Sequence, residues 1–389
     1  MIYNFDEEID RKNTQSVKID ALPQGCCEDS ISAWIADMDF ACAKPILDAL
    51  QERLDKRIFG YTSYEHSKVK DATCSWFNKR YDLDINKNEI VYSPGIVPAL
   101  AFLINILSKE NDEIIIQRPV YYPFTKKIEA NKRRVLNNPL IYENGQYKMD
   151  FEHLEKAFAR ASGMILCSPA NPVGRVWSEE ELIRVVDIAK RHNKWIISDE
   201  IHMDLTRQNV KHLPLLKVAP EYAQNIYFCS SPSKTFNIAG LALSNLIIKN
   251  EQVRKEYLNT LCESYSLASP SPFAISAAVA AYEEGEEWLE QLRTYLDESF
   301  IFVEKYLKER LPEAILSPAA GTYLAWINCR AYEKDAKGLE KIMQNAGLAF
   351  DEGYIFGAEG SGFERINIAM PRARVKAAID RMSEALLRK

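Results

Sequence analysis

A lysine in the segment SSPSKTFNIAG, residues 230–240, has neighbours that would change its chemistry. Lys234 follows Ser231 and Ser233, and the apolar residues Phe236, Ile238 and Ala239 lie within five positions after it. A lysine enclosed among apolar groups loses proton affinity and becomes an amine nucleophile that can form a Schiff base. The segment therefore predicts a catalytic lysine.

A second segment predicts an anion site. VYSPG ends in Gly95, and a helical pattern starts at Ile96 and Val97. The free N–H groups at a helix N-terminus attract anions such as phosphate. The hydroxyls of Ser231 and Ser233 could donate to the same anion. Taken alone, the glycine also fits an ordinary strand-to-helix turn, and the serines also fit an ordinary loop.

Two more polar residues follow strand-like runs. Asp199 ends WIISD, and a carboxylate buried there would need a partner. At an effective dielectric constant of about 20, contact with a protonated ring nitrogen gains about 4 kcal/mol, which keeps a weakly basic nitrogen protonated. Asn171, in PANP, could hydrogen-bond to a ring hydroxyl. The alternatives are a salt bridge or helix cap for Asp199 and a turn position for Asn171.

These groups share one location and one ligand chemistry. In an open parallel sheet, ligands bind beyond the carboxyl ends of the strands, and each of the groups ends a strand-like run. Phosphate donors, a carboxylate for a ring nitrogen, an amide and a lysine nucleophile together describe pyridoxal 5′-phosphate. The sequence therefore predicts an enzyme that uses this cofactor.

Strand-like and helical patterns alternate through the part of the chain that carries these residues. Short β-branched runs predict buried strands: EIVYSP, EIIIQ, GMILCSP, WIISDE, NIYFCSS and LSNLIIKN. Amphipathic helical patterns lie between them, and Ser178 followed by Glu181 forms the signature of a capping box. The alternation predicts an α/β fold with a mainly parallel sheet.

The pattern changes after residue 285. A long polar helix is predicted from about Glu286 to Arg310, followed by strand-like GTYLAWINC, a helix, strand-like RINIAM and a last helix from Pro371. We therefore predict an N-terminal arm over residues 1–45 that packs with the small domain. A large cofactor-binding domain is expected over 46–285, and a smaller α+β domain over 286–389.

Composition narrows the class of protein. The chain has 389 residues, 47% hydrophobic and 27% charged, with a net charge of -6, which is typical of a globular protein and argues against nucleic acid as a partner. The sequence has no run of about 18 apolar residues, so no membrane helix is predicted. The N-terminus lacks a signal pattern. The eight cysteines are scattered without metal-ligand spacing. We expect no metal, no membrane association and a cytoplasmic location.

The motifs also resemble a known family, the fold-type I, class I/II aminotransferases that depend on pyridoxal phosphate. The resemblance is closest to the MalY/PatB type of cystathionine β-lyase, or C–S β-lyase, and covers nearly the whole chain. It rests on WIADMDF, FGYTSYE, YSPGIVPAL, NPVGRVWSEEEL, SDEIHMDL, SKTFNIAGL and GTYLAWINCR. It implies a seven-stranded sheet between helices in the large domain.

The resemblance also implies roles for individual residues around the cofactor. Lys234 would carry the cofactor as a Schiff base and then move the Cα proton. Asp199 would pair with the ring nitrogen and Asn171 with the ring hydroxyl. Tyr121 would stack on the ring, with its neighbour Tyr122 as the alternative. The phosphate would be held by Gly95, Ile96, Val97, Ser231 and Ser233, and His202 would support the ring or Asp199 from behind.

Further implied roles concern the substrate and a second subunit. Arg365, in RINIAM, would bind the substrate carboxylate, with Arg372 and Arg374 as nearby competitors. Tyr61 would reach the phosphate of a neighbouring subunit, which implies a homodimer with shared active sites, and Tyr64 would approach the substrate.

Three functions follow as hypotheses. The first is β-elimination from cystathionine, cysteine or a related thioether amino acid, which gives a thiol, pyruvate and ammonia. The second is transamination of aromatic or other bulky amino acids with the same residues. The third is a regulatory binding protein that uses the fold as a scaffold. Release of pyruvate and thiol without an added keto acid separates the first from the second.

Overall fold

A computed structural model describes residues 1–388. Its strands are β1 (Ile31–Ser32), β2 (Ile90–Ser93), β3 (Glu113–Ile116), β4 (Arg134–Asn137), β5 (Ile141–Glu143), β6 (Gln146–Lys148), β7 (Gly163–Cys167), β8 (Trp195–Asp199), β9 (Ile226–Ser230), β10 (Ser244–Ile248), β11 (Ile315–Leu316), β12 (Leu324–Asn328), β13 (Leu348–Ala349), β14 (Asp351–Glu352) and β15 (Phe363–Asn367).

The α-helices alternate with these strands through the first two thirds of the chain. They are α1 (Val17–Asp20), α2 (Lys44–Asp55), α3 (Val69–Tyr81), α4 (Ile96–Leu107), α5 (Pro123–Ala130), α6 (Phe151–Phe158), α7 (Glu179–Arg191), α8 (Leu215–Val218), α9 (Pro232–Thr235), α10 (Glu251–Asn259), α11 (Pro272–Glu284), α12 (Glu286–Arg310), α13 (Ala336–Asn345) and α14 (Arg372–Leu387). Over residues 1–388, no helix is long and apolar enough to cross a membrane.

The main sheet has seven strands in the order β2-β10-β9-β8-β7-β3-β4. β10 is antiparallel to both of its neighbours, and the pairs from β9 to β4 are parallel. β7 and β8 are buried along their whole length, as expected for strands covered on both faces. The predicted α/β fold with a mainly parallel sheet is confirmed. Sequence reasoning missed β4, a half-buried edge strand.

A second sheet, in the order β11-β12-β15-β14, is antiparallel throughout. It lies on a separate hydrophobic core that includes Phe300 and Val303 of α12 and Ile379 and Met382 of α14. The sheet brings the strand predicted from RINIAM next to the short strand β14.

Two local features fix helices that position the site. Helix α7 begins with a complete capping box, in which Ser178 and Glu181 exchange side-chain to backbone hydrogen bonds. Gly285 separates α11 from α12 and contacts the Phe236 ring so closely that an added Cβ would lie 2.5 Å from that ring. The α11–α12 junction therefore packs directly behind the Lys234 segment.

The N-terminal segment contacts both parts of the molecule. β1 pairs in parallel with β13, and Phe5 packs against Phe40, Trp288 and Tyr295. The boundaries proposed after residues 45 and 285 stay a prediction.

Candidate active site

A cavity of about 310 Å³ lies at the carboxyl ends of β7 and β8, between the two sheets. Its lining includes most of the residues predicted from sequence to bind a cofactor or substrate. They are Gly95, Ile96, Val97, Tyr121, Asn171, Asp199, His202, Ser233, Lys234 and Arg365.

Lys234 lies in the short helix α9, directly after β9. Its Nζ reaches across the cavity and donates to the carbonyl of Ala36 at 2.6 Å. Burial and, to a smaller extent, the positive charge of Arg365 lower the pKa of the Lys234 amine to about 8, against the opposing effects of Asp37 and Asp199. The amine is therefore much closer to its neutral, nucleophilic form at neutral pH than a solvated lysine would be.

Asp199 ends β8, and its side chain is 4% exposed. Its Oδ1 accepts the Ile201 N–H at 3.2 Å. Burial and, to a smaller extent, the charge of Glu200 raise the pKa of Asp199 to about 7, against the opposing effects of the Ile201 N–H and Lys234. A buried carboxylate held by one backbone N–H leaves room for a cationic partner in the cavity. Such a partner would lower the pKa again and fix the ionised form.

His202 lies beside these two charged groups and packs edge-on against Tyr323. Burial lowers its pKa to about 3, helped by the positive charges of Lys234 and Arg365. The imidazole is therefore neutral at physiological pH, and its Nδ1 is buried without a hydrogen-bond partner among the described residues.

Arg365 and Asn171 form the opposite side of the cavity. Nη1 of Arg365 donates to Oδ1 of Asn171 at 3.1 Å. Its Nη2 donates to the Trp34 carbonyl and to Oδ2 of Asp351. The guanidinium also lies 4.9 Å from the centre of the Phe356 ring. A fixed, planar cation of this kind suits bidentate recognition of a carboxylate.

The aromatic wall comes from the segment that leads into α5. Tyr121 and its neighbour Tyr122 both line the cavity. The Tyr121 backbone N–H donates to the Asn171 carbonyl at 3.0 Å, which fixes the tyrosine relative to that residue. Burial raises the pKa of the Tyr121 hydroxyl, so the phenol stays protonated.

The N-terminus of α4, at Gly95, Ile96 and Val97, opens into the cavity, and Ser233 lines it nearby. Ser231 does not line the cavity. Its hydroxyl donates to the Leu243 carbonyl at 2.7 Å and accepts the Ser233 N–H at 3.1 Å, so it caps α9. Ser231 therefore shapes the lysine segment, and its predicted contact with the phosphate stays a prediction.

The two predicted tyrosines of the FGYTSYE segment lie apart from the cavity. Tyr64 is buried, and its hydroxyl donates to Oδ1 of Asn245 at 2.7 Å. Tyr61 is fully exposed. Of the two competing arginines, Arg372 pairs with Glu298 and Arg374 lies near Asp39, both away from the cavity.

Sequence reasoning missed two parts of the lining. Residues 34–36 pass over the cavity, and the Ala36 carbonyl also accepts the Tyr323 hydroxyl at 2.8 Å. Asp351 lies opposite Arg365 in the β14–β15 pairing. The WIADMDF motif was a usable signal for the first. The position of Asp351 depends on the register between β14 and β15, which cannot be predicted from the local sequence.

The fold and the site together define a class of protein, the fold-type I enzymes that bind pyridoxal phosphate. Comparison with known proteins agrees with this class. The chain belongs to the aminotransferase class I and II family, whose model matches residues 35–382. Among curated relatives, cystathionine beta-lyase PatB of Bacillus subtilis is 36% identical over 387 residues, 98% of this chain and 100% of PatB. The resemblance predicted from the motifs is confirmed.

Two solved structures extend the likeness to three dimensions. The PLP-bound C-S lyase from Staphylococcus hominis superposes with a TM-score of 0.94 at 36% identity, over 100% of this chain and 99% of that one. A PLP-bound putative aminotransferase from Clostridium difficile 630 gives 0.96 at 38% identity, over 99% of this chain and 100% of that one. The predicted fold-type I architecture is confirmed.

Proposed function

We propose that the protein is a pyridoxal phosphate-dependent C–S β-lyase that cleaves cystathionine or a related thioether amino acid to a thiol, pyruvate and ammonia. One observation carries the proposal: Lys234, Asp199 and Arg365 meet in a single cavity. They do so in a chain whose likeness to a cystathionine β-lyase and to a C–S lyase extends over nearly its full length.

The residues of the cavity fit the cofactor group by group. Lys234 offers a buried amine for the aldehyde, and Asp199 offers a buried carboxylate for the ring nitrogen. Asn171 and Tyr121 would hold the ring, and the N-terminus of α4 with Ser233 would hold the phosphate. Bound in this way, the cofactor supplies an electron sink that makes the Cα–H bond of an amino acid acidic.

The chain itself supplies orientation and proton transfer. Arg365 binds the α-carboxylate and fixes the amino acid over the cavity. The Lys234 amine, with a pKa of about 8, accepts the Cα proton at its Nζ. The thiolate then leaves with the electron pair of the Cβ–S bond, and water converts the remaining three-carbon unit to pyruvate and ammonia.

Residues 34–36 contribute by covering the cavity in which the reaction would take place. Its carbonyls accept hydrogen bonds from Lys234, Tyr323 and Arg365, which hold the backbone close above the cavity. A covered site excludes bulk water and strengthens each charge interaction inside it.

A second candidate function is transamination, which the family and the likeness to a putative aminotransferase favour. The two reactions share their binding residues and the first proton transfer. They differ in the fate of the Cβ substituent, so substrates without a leaving group at Cβ separate them.

We also propose a homodimer in the cytoplasm. Support comes from exposed apolar side chains on two segments that hydrogen bonds of Thr62 to Ser269 and Pro270 hold together. These side chains are Ile58, Phe59, Tyr61, Tyr265 and Leu267. Apolar surface grouped in this way is typical of protein–protein contacts. In the dimer, Tyr61 of one subunit would reach the phosphate site of the other. All eight cysteines are free thiols, which suits a reducing compartment.

The test is a pyruvate and thiol assay on purified protein with L-cystathionine, without an added keto acid. We expect both products, and we expect none from Lys234→Ala. Lys44→Ala, at an exposed lysine of α2, is the matched control and should keep full activity. Turnover that requires a keto acid and releases no thiol would replace the lyase with the aminotransferase.

A further inference from the structure

Asp351 is a buried carboxylate in the cavity that the proposed reaction does not use. It forms part of β14, and the antiparallel register places it directly opposite Arg365 of β15. Asp351 is 6% exposed and Arg365 is 2% exposed. The two side chains form an ion pair at the cavity wall.

The guanidinium of Arg365 is already heavily engaged. Nη1 donates a hydrogen bond to Asn171, while Nη2 donates to both Asp351 and the Trp34 carbonyl. Within the described part of the chain, Nε is buried without a hydrogen-bond partner. A substrate carboxylate therefore meets an arginine whose Nη2 is held by a resident anion.

The surroundings of Asp351 offer little else to balance a second anion. The titratable groups that act on it or respond to its charge are Arg365, the phenols of Tyr121 and Tyr122, and the carboxylates of Glu352 and Glu364. Among these groups, Arg365 supplies the positive charge. Two carboxylates on one buried guanidinium would repel each other strongly, because the interior screens charge poorly.

Burial raises the pKa of Asp351 even with Arg365 beside it. An arriving carboxylate, which is a like charge, would raise that pKa further.

We propose that Asp351 is a positioning residue that holds Arg365 as its resident counter-anion and takes up one proton from solvent when the substrate carboxylate binds. This inference rests on the proposed function, in which Arg365 receives the α-carboxylate. The proton adds to the Asp351 carboxylate and makes a neutral acid, and no other bond changes. Asp351 thereby keeps Arg365 oriented between turnovers and couples substrate affinity to pH.

The direction of the pH effect follows from this exchange. If binding takes up a proton, affinity falls as the pH rises above the pKa of free-state Asp351, by about tenfold per pH unit at the limit. An asparagine at position 351 keeps the shape and a hydrogen-bond acceptor for Arg365 but carries no charge. Asp351→Asn should therefore bind carboxylates more tightly, and without proton uptake.

The probe is 3-(methylthio)propionate, a thioether carboxylate that has no amine and therefore needs no reaction with Lys234 or the cofactor. Its affinity is measured by calorimetry on the protein as purified with its cofactor. Two buffers of different ionisation enthalpy give the number of protons taken up. The neutral amide of the same acid is the ligand control. Glu352→Gln is the matched variant, since Glu352 is the adjacent carboxylate but is paired in register with Glu364.

We expect the wild type and Glu352→Gln to take up close to one proton per bound 3-(methylthio)propionate. Asp351→Asn should take up none, and its advantage in affinity over the wild type should grow by about tenfold for each pH unit through the linked range. Equal or weaker binding by Asp351→Asn, or a proton uptake that persists in it, would overturn the inference.

The wild-type measurement can still overturn the inference if the variant fails to fold. Binding without proton uptake, or no binding of the carboxylate, would reject the role of Asp351. Pyruvate release is scored separately. Intact proton uptake without pyruvate from L-cystathionine would reject the lyase and keep Asp351, and the reverse result would reject Asp351 alone.

Discussion

The two walls of the cavity solve the problem of buried charge in different ways. The wall at the ends of β8 and β9 carries Asp199 and Lys234, whose side chains have few protein partners and shifted pKa values. The wall on β14 and β15 carries Asp351 and Arg365, which neutralise each other directly. On the first wall, the charged groups have few partners, so a ligand can pair with them. On the second wall, a ligand must share Arg365 with the Asp351 that is already paired to it.

The largest effect should come from removing the lone carboxylate of the first wall. Asp199→Asn loses an ionic contact of about 4 kcal/mol with a ring nitrogen, and lyase turnover should fall about 1000-fold. Steady-state pyruvate release measures this change. Asp187→Asn, at an exposed position of α7, is the control and should match the wild type. A loss under tenfold at Asp199 would mean that its charge does not support the reaction.

The same carboxylate should destabilise the cofactor-free protein at neutral pH. Its pKa is raised by burial from an ordinary value of 3.8 to about 7, so the folded state binds the proton more tightly than the unfolded state. Unfolding free energy therefore falls as the pH rises from about 4 to about 7, by at most about 4 kcal/mol from this group.

Urea denaturation of cofactor-free protein at several pH values tests this sign. Asp199→Asn should lose less stability than the wild type between about pH 4 and pH 7, because asparagine does not titrate. Asp187→Asn should follow the wild type. Parallel pH profiles for Asp199→Asn and the wild type would show that burial of the carboxylate is not what strains this wall.

On the second wall, the geometry of the cation matters as much as its charge. Arg365→Lys keeps the charge but loses the planar fork, so a carboxylate would be held at a single point. We expect kcat/KM to fall about 100-fold, mostly through KM, which corresponds to about 2.7 kcal/mol.

The matched control for that change is Arg372→Lys, because Arg372 pairs with Glu298 outside the cavity. It should leave both kinetic constants within about twofold of the wild type. If Arg372→Lys raised KM more than Arg365→Lys, the substrate carboxylate would instead be assigned to a site at the start of α14.

The smallest effect provides a baseline outside both walls. Ser178→Ala removes half of the capping box of α7 and should cost about 1 kcal/mol of unfolding free energy without changing turnover. Denaturant unfolding together with the pyruvate assay checks both parts. A loss of activity without a loss of stability would show that α7 does more than support the sheet.

The contrast between the walls also explains how far the sequence alone could lead. Lys234, Asp199 and Asn171 each follow a strand or lie near its carboxyl end in a parallel sheet, so local patterns and the rule for such sheets were sufficient to group them. The capping box and the long helix Glu286–Arg310 were equally local and are found at the predicted positions.

The rest depended on relations between distant segments. The pairing of Asp351 with Arg365 follows from the β14–β15 register. Residues 34–36 cover the cavity because their carbonyls accept hydrogen bonds from Lys234, Tyr323 and Arg365. The expectation that Ser231 contacts the phosphate stays a prediction. The bond of Ser231 to the Leu243 carbonyl depends on how the chain returns into β10.

The central claim is that Lys234 carries the cofactor, and one measurement tests it directly. The purified protein is incubated with pyridoxal phosphate, reduced with borohydride, digested and examined by peptide mass spectrometry. We predict that the reduced phosphopyridoxyl group is found on the peptide that contains Lys234, and that Lys234→Ala carries none. A label on other lysines alone, or no label on the wild type, would contradict the account.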